Sequence, residues 1–399
     1  MSNQICESLS RPLELPCGTV LKNRIVKSAM SDSLGDGRGN PTQEQIRLYQ
    51  RWANGGAAAM IIGEVQGSPL FAEKPGNLVL HSDSDQALFK QLAQAGVRNN
   101  TQLWLQLGHA GAMAYAPIST PKGPSEINMP GLSCKALTID EIKRLPAEFA
   151  TMASQAQTLG FGGVQIHAAH GFLLSQFLSP LFNNRKDEYG GSIDGRMRLL
   201  IECVDEVRNS VDSSYTVAVK LNATDQLEGG LEAEEALAVV SALDKTGIDL
   251  IDISGGTYFP GAKSASDKIA AGPYFLDFAS HAQALTDKPL MVTGGFKTLD
   301  QATSAVSSGK ADLIGLARAM VLEPELPNHW LSGQSGDPVF PTFSSPPEGG
   351  ITAWYTMLLT DIAEGRDSET LPDLESSLKL YNKRDRERTA LWKHHFNMI

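Results

Sequence analysis

What most restricts the fold of this chain is a repeat: eight apolar runs of five to seven residues, at positions 24–30, 58–63, 102–107, 163–167, 216–221, 248–253, 289–293 and 312–316, with a helix-like stretch between most neighbours. The runs are nearly continuous in apolar residues rather than alternating, so each reads as a strand covered on both faces. Helix start signals lie between them. Thr42-x-x-Gln45, Thr138-x-x-Glu141 and Thr298-x-x-Gln301 have the spacing at which a hydroxyl and a later side chain cap helix-end amides reciprocally. Ile142, Leu145, Phe149, Met152, Ala156 and Leu159 then form one apolar helical stripe. Strict alternation predicts an all-parallel sheet, because each helix returns the chain to start the next strand in the same direction. Eight such units predict an α/β fold, a closed (β/α)8 TIM barrel, with an open doubly wound sheet as the weaker alternative.

Both ends of the chain depart from the repeat. Leu13–Leu15 and Val20–Leu21 flank Pro16-Cys17-Gly18 and read as a β-hairpin plugging one end of the barrel. After Leu322 the pattern gives way to Pro324, Pro327, Pro338, Pro341, Pro346 and Pro347, a loop region, and helix resumes near residues 351–362. The expected organisation is a barrel over 1–330 and a Pro-rich loop with C-terminal helices over 331–399, packed on or beside it. The mixed charge run Lys383-Arg384-Asp385-Arg386-Glu387-Arg388 reads as a solvated helix face without catalytic role.

Composition bounds the partners. A net charge of -11 repels a phosphate backbone, which argues against nucleic acid. Residues 1–10 have neither a basic nor an apolar leader region, and no apolar run is long enough to span a bilayer, so a cytoplasmic protein is expected. A homo-oligomer is compatible with this reading. Cys6, Cys17, Cys134 and Cys203 are scattered, without the pairing of a zinc or iron–sulfur site.

In a barrel the loops leaving the C-terminal ends of the strands carry function, so the residues at those exits are the candidates. His167 and His170 leave the fourth strand close enough to aim two imidazole N–H groups at one oxygen; a metal is the alternative, disfavoured because no Asp, Glu or Cys stands beside them. Gly294 and Gly295 after the seventh strand, and Ala317-Arg318 heading a helix after the eighth, suit a phosphate: glycines let backbone amides approach, a helix start adds partial positive charge, and Arg318 supplies a fork. Lys220, at the end of an interior-facing strand, needs an anionic partner, which a buried ion pair or a functional anion would equally provide. Gln106, His109 and Asn222 leave the third and fifth strands.

The stretch His167-Ala-Ala-His170-Gly, followed by Phe177-Leu-Ser-Pro180, Asn184-Arg185 and Asp187-Glu-Tyr-Gly-Gly-Ser192, resembles the signature of the old yellow enzymes, FMN-dependent NAD(P)H:flavin oxidoreductases, of the His-x-x-His type. The resemblance covers roughly residues 13–324. It implies FMN held by Ser28, Ala29, Met30, Ser31, Val65, Gln106, Lys220, Ala317 and Arg318, with Lys220 near the flavin N1 and C2 carbonyl and Ser31 in place of the usual Thr or Cys. Gln106 could meet the pyrimidine edge with both amide donor and acceptor. The reductant implied is NAD(P)H, and the partner a small electrophilic acceptor.

One departure bears on activity. Where the family usually carries a proton-donating Tyr, this chain has Phe172. Tyr258 or Tyr115, both on strand-end loops, could supply the phenol, though an ordinary packed tyrosine is as good a reading of each. Ser33 and Ala112-Met113 also stand where the family has bulkier or basic residues. The expected function is reduction of the C=C bond of α,β-unsaturated carbonyl compounds. The alternatives are a flavin-dependent desaturase or isomerase, a quinone or nitro reductase, and a flavin-free phosphate-binding lyase using Lys220.

Overall fold

The computed structural model describes residues 7–259, 272–334, 336–366 and 373–398. Cys6 lies outside them. The eight expected runs are eight parallel strands: Ile25–Ser31, Ala59–Gln66, Gln102–Gly108, Gly163–Ala168, Thr216–Asn222, Leu250–Ser254, Leu290–Thr293 and Leu313–Leu316. Each pairs with the next, and the first pairs with both the second and the last, which closes the barrel.

Two cores follow from that closure. Inside the barrel, Val26, Ala59, Ile61, Trp104, Ala218, Leu250, Met291 and Leu313 pack against Leu15 and Leu21 of the hairpin, formed by Leu13–Glu14 and Val20–Leu21, which stops the N-terminal end as expected. The larger core lies between strands and helices, because a strand buried on both faces sends alternate side chains outward. Register then aligns the polar interior residues: Gln165 stands opposite Gln106, His167 opposite Lys220, and Lys220 opposite Asp252.

The helix starts obey the expectation unevenly. Thr138 and Glu141 form the full reciprocal box ahead of Ile139–Leu159. Thr42 and Thr298 cap their helices, but their glutamines are engaged elsewhere: Gln301 accepts from the Lys297 amide, and Gln45 donates to both carboxylate oxygens of Asp32. A small sheet of Lys122–Gly123, Ile127–Met129 and Leu132–Ala136, inserted after the third strand, carried no clear sequence signal.

The C-terminal charge run is not a simple solvated face. Within the helix Leu374–His395, Tyr381, Asp385 and Trp392 are buried while Lys383 and Glu387 are exposed. Asp385 pairs with Lys74 at 3.6 Å, and Arg388 donates to the carbonyl of Ser33 at the exit of the first strand. Helical spacing of 3–4 residues puts these groups on one side and the exposed charges on the other. No helix among the described residues is long and apolar enough to cross a membrane.

Candidate active site

The strand exits carry two polar groups of opposite character. The first is a closed network in the barrel floor, centred on Asp252. Its Oδ2 accepts from Lys220 Nζ at 2.5 Å and from Gln165 Nε2 at 3.0 Å, and its Oδ1 accepts from Thr293 Oγ1 at 2.7 Å. Gln165 in turn accepts from Gln106 Nε2 at 2.8 Å. Thr293 has one hydroxyl proton, which goes to Asp252, so at 2.8 Å Ser28 must donate to Thr293. Lys220 and Asp252 are 1% and 0% exposed. Three donors on one carboxylate are what make a buried charge tolerable. A Cβ on Gly315 would strike the Thr293 and Ser28 hydroxyls, so glycine there permits their approach. A lysine committed to a carboxylate is not the free amine that a Schiff base needs, which removes support from a lyase role for Lys220.

The second group stands at the exit of the fourth strand and is open. His167 is 2% exposed, and its Nδ1 is buried without a partner among the described residues. Its Nε2 lies 4.0 Å from Glu64 Oε1. His170 follows in the left-handed region at φ 61°, a strained choice for a residue with a Cβ. Asn222 Oδ1 holds it by accepting from its backbone N–H at 3.0 Å, and its Nε2 meets Ser254 Oγ at 2.9 Å. The two imidazole rings stand 5.3 Å apart, edge to face. Burial, followed by the positive charge of Lys220, presses His170 down to about 3. Burial and then the His170 and Lys220 charges hold His167 well below its ordinary range. Both rings are therefore neutral at physiological pH, each with one N–H to give. No cluster of His, Cys, Asp and Glu suited to a metal occurs among the described residues.

Around this pair, Phe172 is 2% exposed with its ring 5.0 Å from that of His167. Tyr258 is 64% exposed, 5.8 Å from the His170 ring and 6.0 Å from Phe172. Tyr115 lies elsewhere, under Lys74 and beside Trp392. His109 stacks on Phe71; its Nδ1 accepts from the Gly111 amide at 3.0 Å, so its proton is on Nε2, buried and unpartnered among the described residues. Burial presses His109 to about 3.

The remaining predicted residues fall as follows. Ala29, Met30 and Ser31 are half-buried at the barrel mouth, and a Cβ on Gly63 would touch Ala29, the Met30 amide and Gln106, so the exits of the first three strands meet there. Val65 is fully buried in the outer core, so any contact it makes at the mouth comes from its backbone. Gly294 and Gly295 have φ 125° and 83°, open only to glycine, and a Cβ on either would meet residues 272–275. Arg318 heads the helix Ala319–Leu322 with its guanidinium 5.1 Å from the Tyr355 ring. That helix is a single turn, so few peptide dipoles sum at its start and an anion there would depend on amides and Arg318. This donor set, with half-buried Ala29, Met30 and Ser31 at the mouth, a lysine and glutamine at its floor and a glycine–arginine end, fits a flavin mononucleotide.

Sequence reasoning missed Asp252, Gln165, Glu64 and Lys27. The first two were legible as polar residues at interior positions of apolar strands, and Glu64 as the charge closing the second run. Lys27 points into the outer layer, 4.4 Å from the Trp52 ring, donating to the Ser28 carbonyl; burial, countered by Asp32, presses it to about 7.

Comparison with known proteins bears on the family and the fold. The model of the NADH:flavin oxidoreductase / NADH oxidase family matches residues 8–335. An NADH-dependent flavin oxidoreductase of Hypocrea jecorina is 32% identical over 86% of this chain and 96% of its own length. An old yellow enzyme homologue from Zymomonas mobilis superposes with a TM-score of 0.73 at 25% identity, covering 87% of this chain and 98% of the homologue. A 2-naphthoyl-CoA reductase in complex with 2-naphthoyl-CoA gives a TM-score of 0.78 at 26% identity over 82% of this chain, which spans 53% of that protein.

Proposed function

Because the chain belongs to the NADH:flavin oxidoreductase / NADH oxidase family, that of the old yellow enzymes, with FMN as cofactor and NAD(P)H as reductant, we propose that it reduces the C=C bond of α,β-unsaturated carbonyl compounds whose oxygen is held by His167 and His170. The observation that carries this reading is the pair of neutral imidazoles at the exit of the fourth strand, His167 buried with an unpartnered ring nitrogen and His170 half-buried beside it. FMN, when bound, carries the electrons from NAD(P)H to the acceptor as hydride.

The chain's own residues do the rest. Ser28, Ala29, Met30, Ser31, Gln106 and Lys220 would line the flavin ring, and Gly294, Gly295, Ala317 and Arg318 its phosphate. Two N–H donors on the acceptor's oxygen draw electron density from the β-carbon, and they work best in a buried site where they need no reorganisation. Phe172 cannot give a proton to the α-carbon. Tyr258, beside both His170 and Phe172, is the phenol best placed to do so. The buried Phe172 also supports a second reading, in which acceptors that need no carbon protonation, such as quinones or nitro compounds, are preferred.

The deciding experiment is product analysis after FMN-loaded protein, reduced anaerobically by NADH or NADPH, meets a cyclohexenone-type enone, a quinone and a nitroarene. The saturated ketone is the expected product. Turnover of quinone alone would replace the first reading by the second.

A further inference from the structure

We propose that Glu64 is a positioning residue that fixes the tautomer of His167, so that the free Nδ1 of that ring carries the proton offered to the acceptor. The inference deepens the acceptor-site reading and rests on it for its ligand.

The argument starts from what a neutral imidazole can do. It has one N–H and one bare nitrogen, and its neighbours decide which is which. His167 Nδ1 is buried and unpartnered among the described residues, so it is the nitrogen left for a ligand. Nε2 faces the Glu64 carboxyl at 4.0 Å, longer than a hydrogen bond, as such contacts often are before a ligand tightens the site. A carboxylate facing Nε2 accepts only, draws the proton to that side and leaves Nδ1 bare. A carboxylic acid donates to Nε2 and leaves the proton on Nδ1. Only the second arrangement lets His167 hold a carbonyl or phenolate oxygen.

The surroundings of Glu64 select the acid. Its side chain is 6% exposed at the end of the second strand. Burial, then the charge of Glu73, holds its carboxyl well above the ordinary carboxylate range, against one hydrogen bond accepted from Gln66 Nε2 at 3.2 Å. From the other elements it faces His167 on the fourth-strand exit and Gly108 on the third strand, and its charge acts on Tyr258 on the sixth-strand exit. Lys74 and Asp385 act on Glu73 with opposite signs. No cation touches Glu64 among the described contacts, whereas Asp252 has Lys220. A buried carboxyl with no cation beside it is thus held as the acid at the mouth.

The test is the ring-nitrogen NMR of FMN-loaded protein labelled with ¹⁵N-histidine, the His167 signals being assigned by their loss in His167→Gln. Near neutral pH the wild type should show Nδ1 protonated, and alkaline pH should move the proton to Nε2 as Glu64 ionises. Glu64→Gln, whose amide donates at any pH, should keep Nδ1 protonated throughout, and Glu64→Leu should give a mixture. A para-substituted phenol supplies the second readout: the ratio of its affinities for wild type and Glu64→Gln, in which the phenol's own ionisation cancels, should fall about tenfold from neutral to alkaline pH. A proton on Nε2 in the neutral wild type, or a tautomer indifferent to Glu64→Leu, would overturn the proposal. A wild type with Nδ1 protonated that binds no phenol would instead overturn the acceptor-site reading and leave the tautomer assignment standing.

Discussion

The floor of the barrel and its mouth use the same kinds of residues to opposite ends. In the floor, Asp252, Lys220, Gln165, Gln106, Thr293 and Ser28 are joined into one chain of hydrogen bonds, with a buried charge pair at its centre. At the mouth, His167 Nδ1 and His109 Nε2 are buried without partners among the described residues. An unpaired buried polar group costs stability, on the order of 1–3 kcal/mol each. On the proposed reading, these two nitrogens await a ligand that arrives and leaves. On the same reading, the closed network is the platform for the cofactor that stays.

The comparison breaks most visibly at Asp252. Asp252→Ala strands the Lys220 ammonium and two further donors in the interior, and a broken buried pair of this kind costs about 3–5 kcal/mol. Chemical denaturation of the FMN-free protein should show that loss. A change below about 1 kcal/mol would mean that water or rearrangement satisfies Lys220, and the floor would not be the closed unit described.

At the mouth the largest effect should come from a gain. Phe172→Tyr should raise the rate of enone reduction by about 10²-fold, the lower end for general acid catalysis, because the new hydroxyl enters a site not built around it. Stopped-flow traces of the reductive half-reaction with NAD(P)H should be unchanged. If the wild type already reduces enones rapidly and the tyrosine adds nothing, Tyr258 supplies the proton, and Tyr258→Phe should then slow the same step.

Charge in the floor is read by the flavin potential. Lys220→Met should lower it and Asp252→Asn should raise it, each by roughly 30 mV or more, about 1.4 kcal/mol for a two-electron couple. Opposite shifts follow from removing opposite charges beneath the same ring. Equal potentials in both variants would make the pair purely structural.

The smallest effect sharpens the contrast. Replacing His167 and His170 together by Ala should change folding stability by only about 1 kcal/mol, since the rings lose packing but few hydrogen bonds. A loss as large as that of Asp252→Ala would mean that the histidines hold the fold rather than a ligand.

The barrel was legible because each strand is apolar on both faces and each helix announces its start, and both signals are local. The His pair, Lys220, Gln106 and the Gly294–Arg318 end were legible for the same reason: they sit where apolar runs stop. What could not be read was pairing across the sheet. Asp252 and Lys220 are 32 residues apart in sequence and adjacent only through strand register. Glu64 reaches His167 across an intervening strand. The C-terminal charges were read as solvated because helical spacing alone does not say which side will meet Lys74, Ser33 and the barrel mouth.

The central claim, that the mouth is set aside for a passing oxygen while the floor holds the resident flavin, is tested most directly by titrating FMN-loaded protein with a para-substituted phenol. The readout is the long-wavelength charge-transfer band of a phenolate stacked on oxidised flavin. The account predicts the band in the wild type, binding weakened at least about tenfold, or 1.4 kcal/mol, by either His167→Ala or His170→Ala, and FMN content unchanged in both. A double-alanine variant that loses FMN, yet binds phenol normally once reconstituted, would contradict it and move the acceptor site away from the histidines.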